Sequence, residues 1–230
     1  MFKSIALSLT GCAAASALTM SASAAPIDLV KYEFASLNAN ETGPGYEATV
    51  TSGLSATDIG DTSGVINTRI ENLGYSSAPV LTVDGIATTS FSDAVYFSFT
   101  VTPDSGNTLN LDSLTLDAAR GGGSRPRGFV VRSSADGFTT DLAVNPNTNT
   151  DLPTQRLIDF FTTYTVDLSD PAFDAVAGPL EFRIYVFSPG TGSAIDFDNI
   201  TLHGEVVPEP ASLALLGLGG LGFLRRRRHG

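Results

Sequence analysis

The chain has 230 residues, 42% of them hydrophobic, with 24 acidic against 13 basic residues and a single cysteine. Residues 26–207 hold 8 basic and 23 acidic residues, which is a net charge of −15. This acidity excludes binding to nucleic acid or to anionic lipid, because both need a basic surface. It favours divalent cations, chiefly Ca²⁺, as ligands.

The first 25 residues have the pattern of an export signal. Lys3 gives a short positive start, residues 5–20 form an apolar stretch, and Ala22-Ser23-Ala24 is an A-x-A cleavage pattern. We therefore expect a signal peptide over residues 1–25 that signal peptidase removes. The mature chain then begins at Ala25 or Pro26.

The single cysteine gives a second interpretation of the same segment. Leu9-Thr10-Gly11-Cys12 resembles the lipobox of a lipoprotein, in which Cys12 would be lipidated. If Cys12 instead leaves with the signal peptide, the mature chain has no cysteine, and disulfides contribute nothing to its stability.

Residues 26–207 consist of short β-strand patterns separated by clusters of Gly, Pro, Asn and Asp. Residues 94–102 alternate apolar and polar side chains, which is the period of a half-buried strand. Residues 108–117 alternate again, but the step from Leu111 to Leu114 predicts a bulge or a break near Asp112-Ser113. Further strands are predicted over residues 29–34, 46–51, 128–133, 161–168, 180–187 and 195–207.

Many short strands without a helical period indicate an all-β fold. We predict one domain over residues 26–207, an antiparallel β-sandwich of the jelly-roll type. The strand patterns assign these residues to its apolar-facing positions: Phe97, Phe99, Leu114, Leu116, Phe182, Ile184 and Val186. Because the strand at residues 180–187 is apolar on both faces, we place it inside a sheet or under a covering loop.

The last 23 residues, 208–230, form a separate segment. Pro208-Glu209-Pro210 precedes an apolar run over residues 211–224, and four arginines follow it: Arg225, Arg226, Arg227 and Arg228. As a helix, 14 residues reach about 21 Å, which is short of the ~30 Å hydrocarbon core of a bilayer. The arginines stay on the cytoplasmic side. This pattern predicts transient retention in the inner membrane, with a permanent single-span anchor as the alternative.

This order of motif, apolar run and basic end resembles a PEP-CTERM sorting signal. The resemblance implies that an exosortase recognises Pro208, Glu209 and Pro210 and removes the hydrophobic tail. It also implies export by a Gram-negative bacterium to the cell surface or to an exopolysaccharide matrix. Residues 96–103, 131–138 and 196–202 resemble segments of the jelly-roll-like extracellular domains of such proteins.

No catalytic motif accompanies these signals. His203 is the only histidine outside the tail, so a Ser-His-Asp site and a clustered zinc or copper site are not expected. Gly121-Gly122-Gly123-Ser124, flanked by Arg120, Arg125 and Arg127, lacks the Gly-Lys-Ser/Thr of a phosphate loop. We assign no catalytic residue and expect a protein that is not an enzyme.

Three functions stay open, and the ligand-binding residues are not assigned. The first is a structural or adhesive protein of the surface or matrix, and the alternative is a carbohydrate-binding jelly-roll module with exopolysaccharide as partner. The third is a polysaccharide hydrolase or lyase, since 23 acidic residues allow a pair of catalytic carboxylates.

One metal site is predicted, and no other cofactor. Period-two geometry puts Asp196 and Asp198 on one face of the closing strand. This strand resembles the last strand of jelly-roll carbohydrate-binding modules, and the resemblance implies a structural Ca²⁺ shared with an acid of the first strand, here Glu33. Ca²⁺ needs six to eight oxygen ligands, so carbonyls or water must complete the shell. The alternative is that Asp196 and Asp198 face solvent, or that Asp198 simply hydrogen-bonds to a turn.

Overall fold

The computed structural model describes residues 25–34, 46–60, 67–71, 79–84, 86, 90–121, 127–148, 152, 161–188 and 194–209. The predicted signal peptide up to residue 24 lies outside these residues, as does the sorting tail from Pro210 onward. In the described part of the chain the only helical elements are two 3₁₀ turns, Ser134–Asp136 and Pro171–Phe173. No helix there is long and apolar enough to cross a membrane.

Twelve strands within the described residues form two antiparallel sheets. Their bounds are β1 Ile27–Tyr32, β2 Thr49–Val50, β3 Leu54–Ala56, β4 Asn67–Glu71, β5 Val80–Asp84, β6 Tyr96–Pro103, β7 Asn107–Gly121, β8 Gly128–Ser133, β9 Val144–Asn145, β10 Thr162–Asp167, β11 Leu180–Phe187 and β12 Ala194–Pro208. The eight-stranded sheet runs β2-β1-β12-β7-β10-β9, with β5 paired to β12 and β4 to β5. The four-stranded sheet runs β3-β6-β11-β8.

The connectivity is that of a jelly roll, which confirms the predicted fold class. From β6 to β12 the chain crosses from one sheet to the other at every step except the pair β9 and β10. The longest pairing joins β12 to β7, from Ala194 opposite Gly121 to Pro208 opposite Asn107. Two strands share the other edge of β12. Strand β5 pairs with its first residues, and strand β1 pairs with its middle residues.

The core between the sheets is aromatic at its centre. Phe197 of β12 packs edge-on against Phe97 and Phe129, with ring centroids 5.1 and 5.6 Å apart. Phe99 stacks on Phe182 at 5.5 Å. All seven residues that the sequence assigns to the apolar face are buried. Strand β11 lies between β6 and β8, as its two apolar faces predict.

The predicted irregularity near Asp112-Ser113 is a β-bulge. His203 pairs with Ser113 and Gly204 with Leu111, so Asp112 is the extra residue of β7. Glycine is required opposite it, because a Cβ on Gly204 would lie 2.2 Å from the Asn110 carbonyl oxygen. A second irregularity lies at Asn199, whose φ is +49°.

Candidate functional site

The outer face of the four-stranded sheet carries a cluster of aromatic rings and arginines. Period-two alternation sends Phe97, Phe182 and Val131 into the core, so their strand neighbours point outward. Two loop residues join the outward side chains of β6, β8 and β11. We call this surface the arginine–aromatic face, and its members are Phe91, Tyr96, Arg132, Phe138, Arg183 and Tyr185.

Each arginine of this face lies between two rings. The Arg132 Cζ is 4.2 Å from the ring centroid of Phe91 and 5.7 Å from that of Tyr185. The Arg183 Cζ is 4.5 Å from the Tyr96 centroid and 3.7 Å from that of Phe138. Such distances are those of cation–π contacts. The side chains therefore form a connected cluster on the sheet, in which the Phe91 and Tyr96 rings are each tilted by 52° against the buried ring of Tyr185.

Phe138 reaches this layer through an uncommon backbone conformation. Its φ is +63°, in the left-handed region that residues other than Gly, Asn and Asp rarely adopt. Its N–H donates to the Ser133 carbonyl at 2.9 Å, and Arg132 Nη1 donates to the Phe138 carbonyl at 3.0 Å. The turn after β8 thus holds the Phe138 ring against Arg183. Strain of this kind is concentrated at functional sites.

The two arginines face each other directly across β8 and β11. Like charges in this position destabilise a sheet. Acidic side chains offset the repulsion: Arg183 Nε donates to Glu181 at 2.8 Å, and Arg132 Nε donates to Asp141 at 2.6 Å. The hydrogen bond that Arg183 donates to Glu181 is the main reason that the pKa of Arg183 is raised. The face is therefore rich in paired charges rather than basic.

A cavity of about 250 Å³ adjoins the face at the β8 edge. Asp141, the partner of Arg132, lines it together with Val130, which is opposite Tyr185 in the sheet. Its remaining lining residues are Leu142, Ala143, Val144, Asn147 and Thr148. The volume is below the range of about 300–1,000 Å³ that drug-sized ligands occupy, so the cavity suits one small ring.

The residues predicted to bind Ca²⁺ lie on the outer face of the other sheet. Asp196 is 1% exposed, and its Oδ1 accepts a hydrogen bond from Thr82 Oγ1 at 2.7 Å while Oδ2 has no partner. Burial raises the pKa of Asp196 to about 7. Asp198 is half-buried, and burial raises its pKa to about 6, with Asp117 and Glu33 adding to the effect.

The structure brings these three predicted residues together only in part. Asp196 and Asp198 share the outer face of β12, and Glu33 is near enough to Asp198 to act on its pKa. Glu33 is exposed and forms an ion pair with Lys31. Within the described residues no group of three His, Cys, Asp or Glu side chains is placed to hold a metal. The Ca²⁺ site stays a prediction.

The other residues considered in the sequence have structural partners. His203 is half-buried, with Nδ1 3.0 Å from Asp28 Oδ1 and Nε2 2.8 Å from Thr115 Oγ1. Arg120 and Arg127 are buried, and Arg127 Nη1 donates to the Ala194 carbonyl at 2.5 Å. Neither arginine presents its guanidinium on the surface. Arg125 lies outside the described residues.

The start of the predicted sorting motif is part of the fold. Pro208 ends β12 opposite Asn107, and the Glu209 N–H donates to the Gly106 carbonyl at 2.8 Å. Both Pro208 and Glu209 are exposed. Pro210 and the basic cluster Arg225–Arg228 lie outside the described residues.

The described residues form an acidic jelly-roll sandwich with a partly exposed arginine–aromatic face and a motif that begins at its last strand. Residues 206–228 match the family model of the PEP-CTERM protein-sorting motif. The C-terminal segment is therefore similar to PEP-CTERM sorting signals, and this motif indicates export of a cell-surface-directed protein. No curated protein matches the chain.

Solved structures with a similar arrangement of strands include two carbohydrate-binding modules. The CBM22-1 xylan-binding domain of Paenibacillus barcinonensis Xyn10C is 14% identical, with a TM-score of 0.38, over 80% of this chain and 97% of that one. The non-crystalline cellulose-specific module CBM28 is 14% identical, with a TM-score of 0.34, over 72% and 98%. The Stig cyclase Fisc of Fischerella sp. TAU is 18% identical, with a TM-score of 0.36, over 69% and 87%. Similarity at this level carries no argument about function.

The sequence did not identify the arginine–aromatic face. The alternation of their strands indicates only that Tyr96 and Tyr185 are strand residues, and Tyr185 is indeed a buried ring, whereas Phe91 and Phe138 lie in loops. One signal was present, since Arg183 and Tyr185 alternate with buried residues along β11 and must point to the same outer face.

Proposed function

We propose that the exported β-sandwich is a non-catalytic adhesive protein of the cell surface or exopolysaccharide matrix of a Gram-negative bacterium, and that it binds a neutral polysaccharide. The hydrophobic tail retains the precursor transiently in the inner membrane until an exosortase removes it. The arginine–aromatic face is the binding surface. Its cluster of rings and guanidinium groups, in which each arginine contacts two aromatic rings, is the observation that carries the proposal.

The chemistry of this face fits sugars in two ways. Aromatic planes contribute about 0.5–1.5 kcal/mol per favourable ring contact beyond the area that they bury. Charged groups that already lie in fixed positions, such as Arg132 and Asp141, offer strong hydrogen bonds to hydroxyls. The adjoining cavity adds Asn147 and Thr148 as polar lining for one sugar ring.

Charge argues for a neutral rather than an acidic polysaccharide. Arg132 and Arg183 are accompanied by Glu181, Asp141 and Asp93, so the face carries more negative than positive groups. A domain whose net charge is −15 also repels polyanions. The absence of a basic surface leaves ring stacking and hydrogen bonding as the recognition chemistry.

Binding to immobilised neutral and acidic polysaccharides tests the proposal. We expect neutral polymers to bind, and Phe91→Ala, at a residue 36% exposed, to weaken binding about 3- to 10-fold from the loss of one ring contact. Val50→Ala, at an exposed residue of the other sheet, is the matched control and should not change binding.

Two results would contradict the proposal. Equal binding by wild type and Phe91→Ala would remove the face from recognition, and no binding to any polymer would leave a purely structural role. Release of reducing ends from a bound polymer would instead favour a hydrolase or lyase.

A further inference from the structure

The point where the sorting motif leaves the domain is fixed by hydrogen bonds. The Glu209 N–H donates to the Gly106 carbonyl at 2.8 Å, and Thr108 Oγ1 donates to the Val207 carbonyl at 3.4 Å. Gly106 belongs to the β6–β7 turn and has a φ of +84°, which favours glycine. The backbone at Glu209 therefore cannot move far from this turn while the domain is folded.

The same turn is attached to the neighbouring strand connection. The Asp104 N–H donates to the Gly53 carbonyl at 2.9 Å, and Asn107 Nδ2 donates to the same oxygen at 3.1 Å. These contacts join the β6–β7 turn, the β2–β3 connection and the end of β12 at one end of the sandwich. We call it the tail end and define it as Gly53, residues 104–107, Pro208 and Glu209.

Very little chain separates the tail end from the apolar run. The run begins at Ala211, two residues after Glu209. Two residues span at most about 7 Å between Cα atoms. As a helix, the 14-residue run would reach about 21 Å, which is shorter than a bilayer core of ~30 Å. A tail held in the membrane must therefore draw the domain onto the lipid surface.

We propose that the unprocessed precursor lies with its tail end against the lipid surface of the inner membrane. This inference rests on the proposed retention by the hydrophobic tail. Strand β6 then runs away from the membrane, from Pro103 near the lipid to Tyr96 at the far end. The arginine–aromatic face lies along the side of the sandwich and stays accessible while the precursor is tethered.

The described residues of the tail end carry no basic group that could bind anionic lipid. Asp104 and Glu209 are exposed acids, and residues 103–110 contain no lysine or arginine. Anionic headgroups attract basic segments by about 1 kcal/mol per Lys or Arg near the surface, and this end offers none. Removal of the tail therefore releases the domain, because the described tail end adds no second attraction to the lipid.

Single cysteines report the orientation, since the precursor without its signal peptide, residues 25–230, has no cysteine of its own. Ser105→Cys places a fluorophore in the turn of the tail end, and Ala94→Cys places one at the other end of β6. Eight residues of strand separate these ends by roughly 26 Å. Both positions are exposed.

The labelled precursors are mixed with phosphatidylcholine–phosphatidylglycerol vesicles that carry a headgroup quencher. We expect the label at residue 105 to be quenched several-fold more strongly than the label at residue 94. A six-residue Gly-Ser spacer between Pro210 and Ala211 should reduce this difference without changing the fraction of protein that sediments with vesicles. The chain ending at Glu209 should neither sediment nor be quenched.

The failure of this inference is distinguishable from the failure of tail retention. A precursor that does not sediment with vesicles would refute retention by the tail, and the orientation with it. A precursor that sediments but is quenched equally at both positions, or more strongly at residue 94, would overturn the orientation alone.

Discussion

Replacing Asp196 by Asn should reduce the pH dependence of stability between pH 5 and pH 8 without abolishing it, because Asp198, with a pKa of about 6, titrates in the same window. Asp196 is the most deeply buried carboxyl of the described residues, and only its Oδ1 has a hydrogen-bond partner, Thr82. Burial disfavours the charged form, which is why its pKa is about 7 in the folded protein. An amide of the same shape keeps the Thr82 contact and cannot ionise.

The sign and the size of this pH dependence follow from the protonation of Asp196 in the unfolded and in the folded protein. An unfolded aspartate releases its proton near pH 3.9, and folded Asp196 keeps it until about pH 7. The folded state therefore binds more protons between these values, so stability falls as the pH rises through that window and is level above it. Three pKa units correspond to about 4 kcal/mol, of which roughly 2–3 kcal/mol falls between pH 5 and pH 8.

Denaturant unfolding of the processed protein at several pH values measures this slope. At pH 8 the free energy of unfolding of Asp196→Asn should exceed that of the wild type by about 1–3 kcal/mol. This is less than the full ~4 kcal/mol, because an unpartnered amide N–H costs roughly 1–3 kcal/mol. Near pH 5 the two should be about equal. Asp136→Asn is the control, since the Asp136 pKa of about 2 leaves that carboxylate charged throughout the window. Parallel curves for wild type and Asp196→Asn would refute the reasoning.

Three further predictions use the same preparations. If Ca²⁺ binds at the closing strand, millimolar Ca²⁺ should raise the melting temperature and Asp198→Ala should abolish the rise; indifference to Ca²⁺ and chelator would dispose of the site. Protein from native culture medium should have an intact mass that lacks Pro208–Pro210 and the tail through Arg228, and a mass that still includes Arg225–Arg228 would contradict processing. Glu209→Ala removes the only charge of the motif and should leave the precursor in the inner membrane. Phe197→Ala should lower the free energy of unfolding by about 3–5 kcal/mol, because it opens a cavity against Phe97 and Phe129, whereas Phe91→Ala at the surface should cost much less.

The strands that the sequence predicted are those long enough to show a period. Eight residues of β6 and eight of β11 display the alternation that fixes both the strand and its inward face. Strands β3 and β9 have three and two residues and carry no measurable period, and of the strand predicted over residues 46–51 only the two residues of β2 form one. Strand β5 is buried along four of its five residues, including Thr82, so its apolar run could not be distinguished from other buried segments.

The candidate site could not be predicted from the sequence, because its residues are far apart in the chain and become neighbours only in the folded protein. Arg132 and Arg183 are about fifty positions apart and become neighbours through the pairing of β8 with β11. Phe138 joins them because two successive residues after a 3₁₀ turn, Gly137 and Phe138, adopt the left-handed conformation, and the sequence predicts this for the glycine but not for the phenylalanine. The sorting motif was recognisable for the opposite reason, since its motif, apolar run and arginines are contiguous.

The placement of the motif also explains how a folded domain can lose its tail without losing stability. The last core residue of β12 that is fully buried is Leu202, and only Val206 packs against the core beyond it. The hydrogen bonds of the sheet end at Glu209. Of the described residues, the sorting signal contains only Pro208 and Glu209, both exposed, so its removal takes from the described sandwich only the pairing of Pro208 with Asn107 and the hydrogen bond from Glu209 to Gly106. The sandwich that reaches the surface is otherwise held together by the same contacts as the one that was tethered, and only its attachment to the lipid has changed.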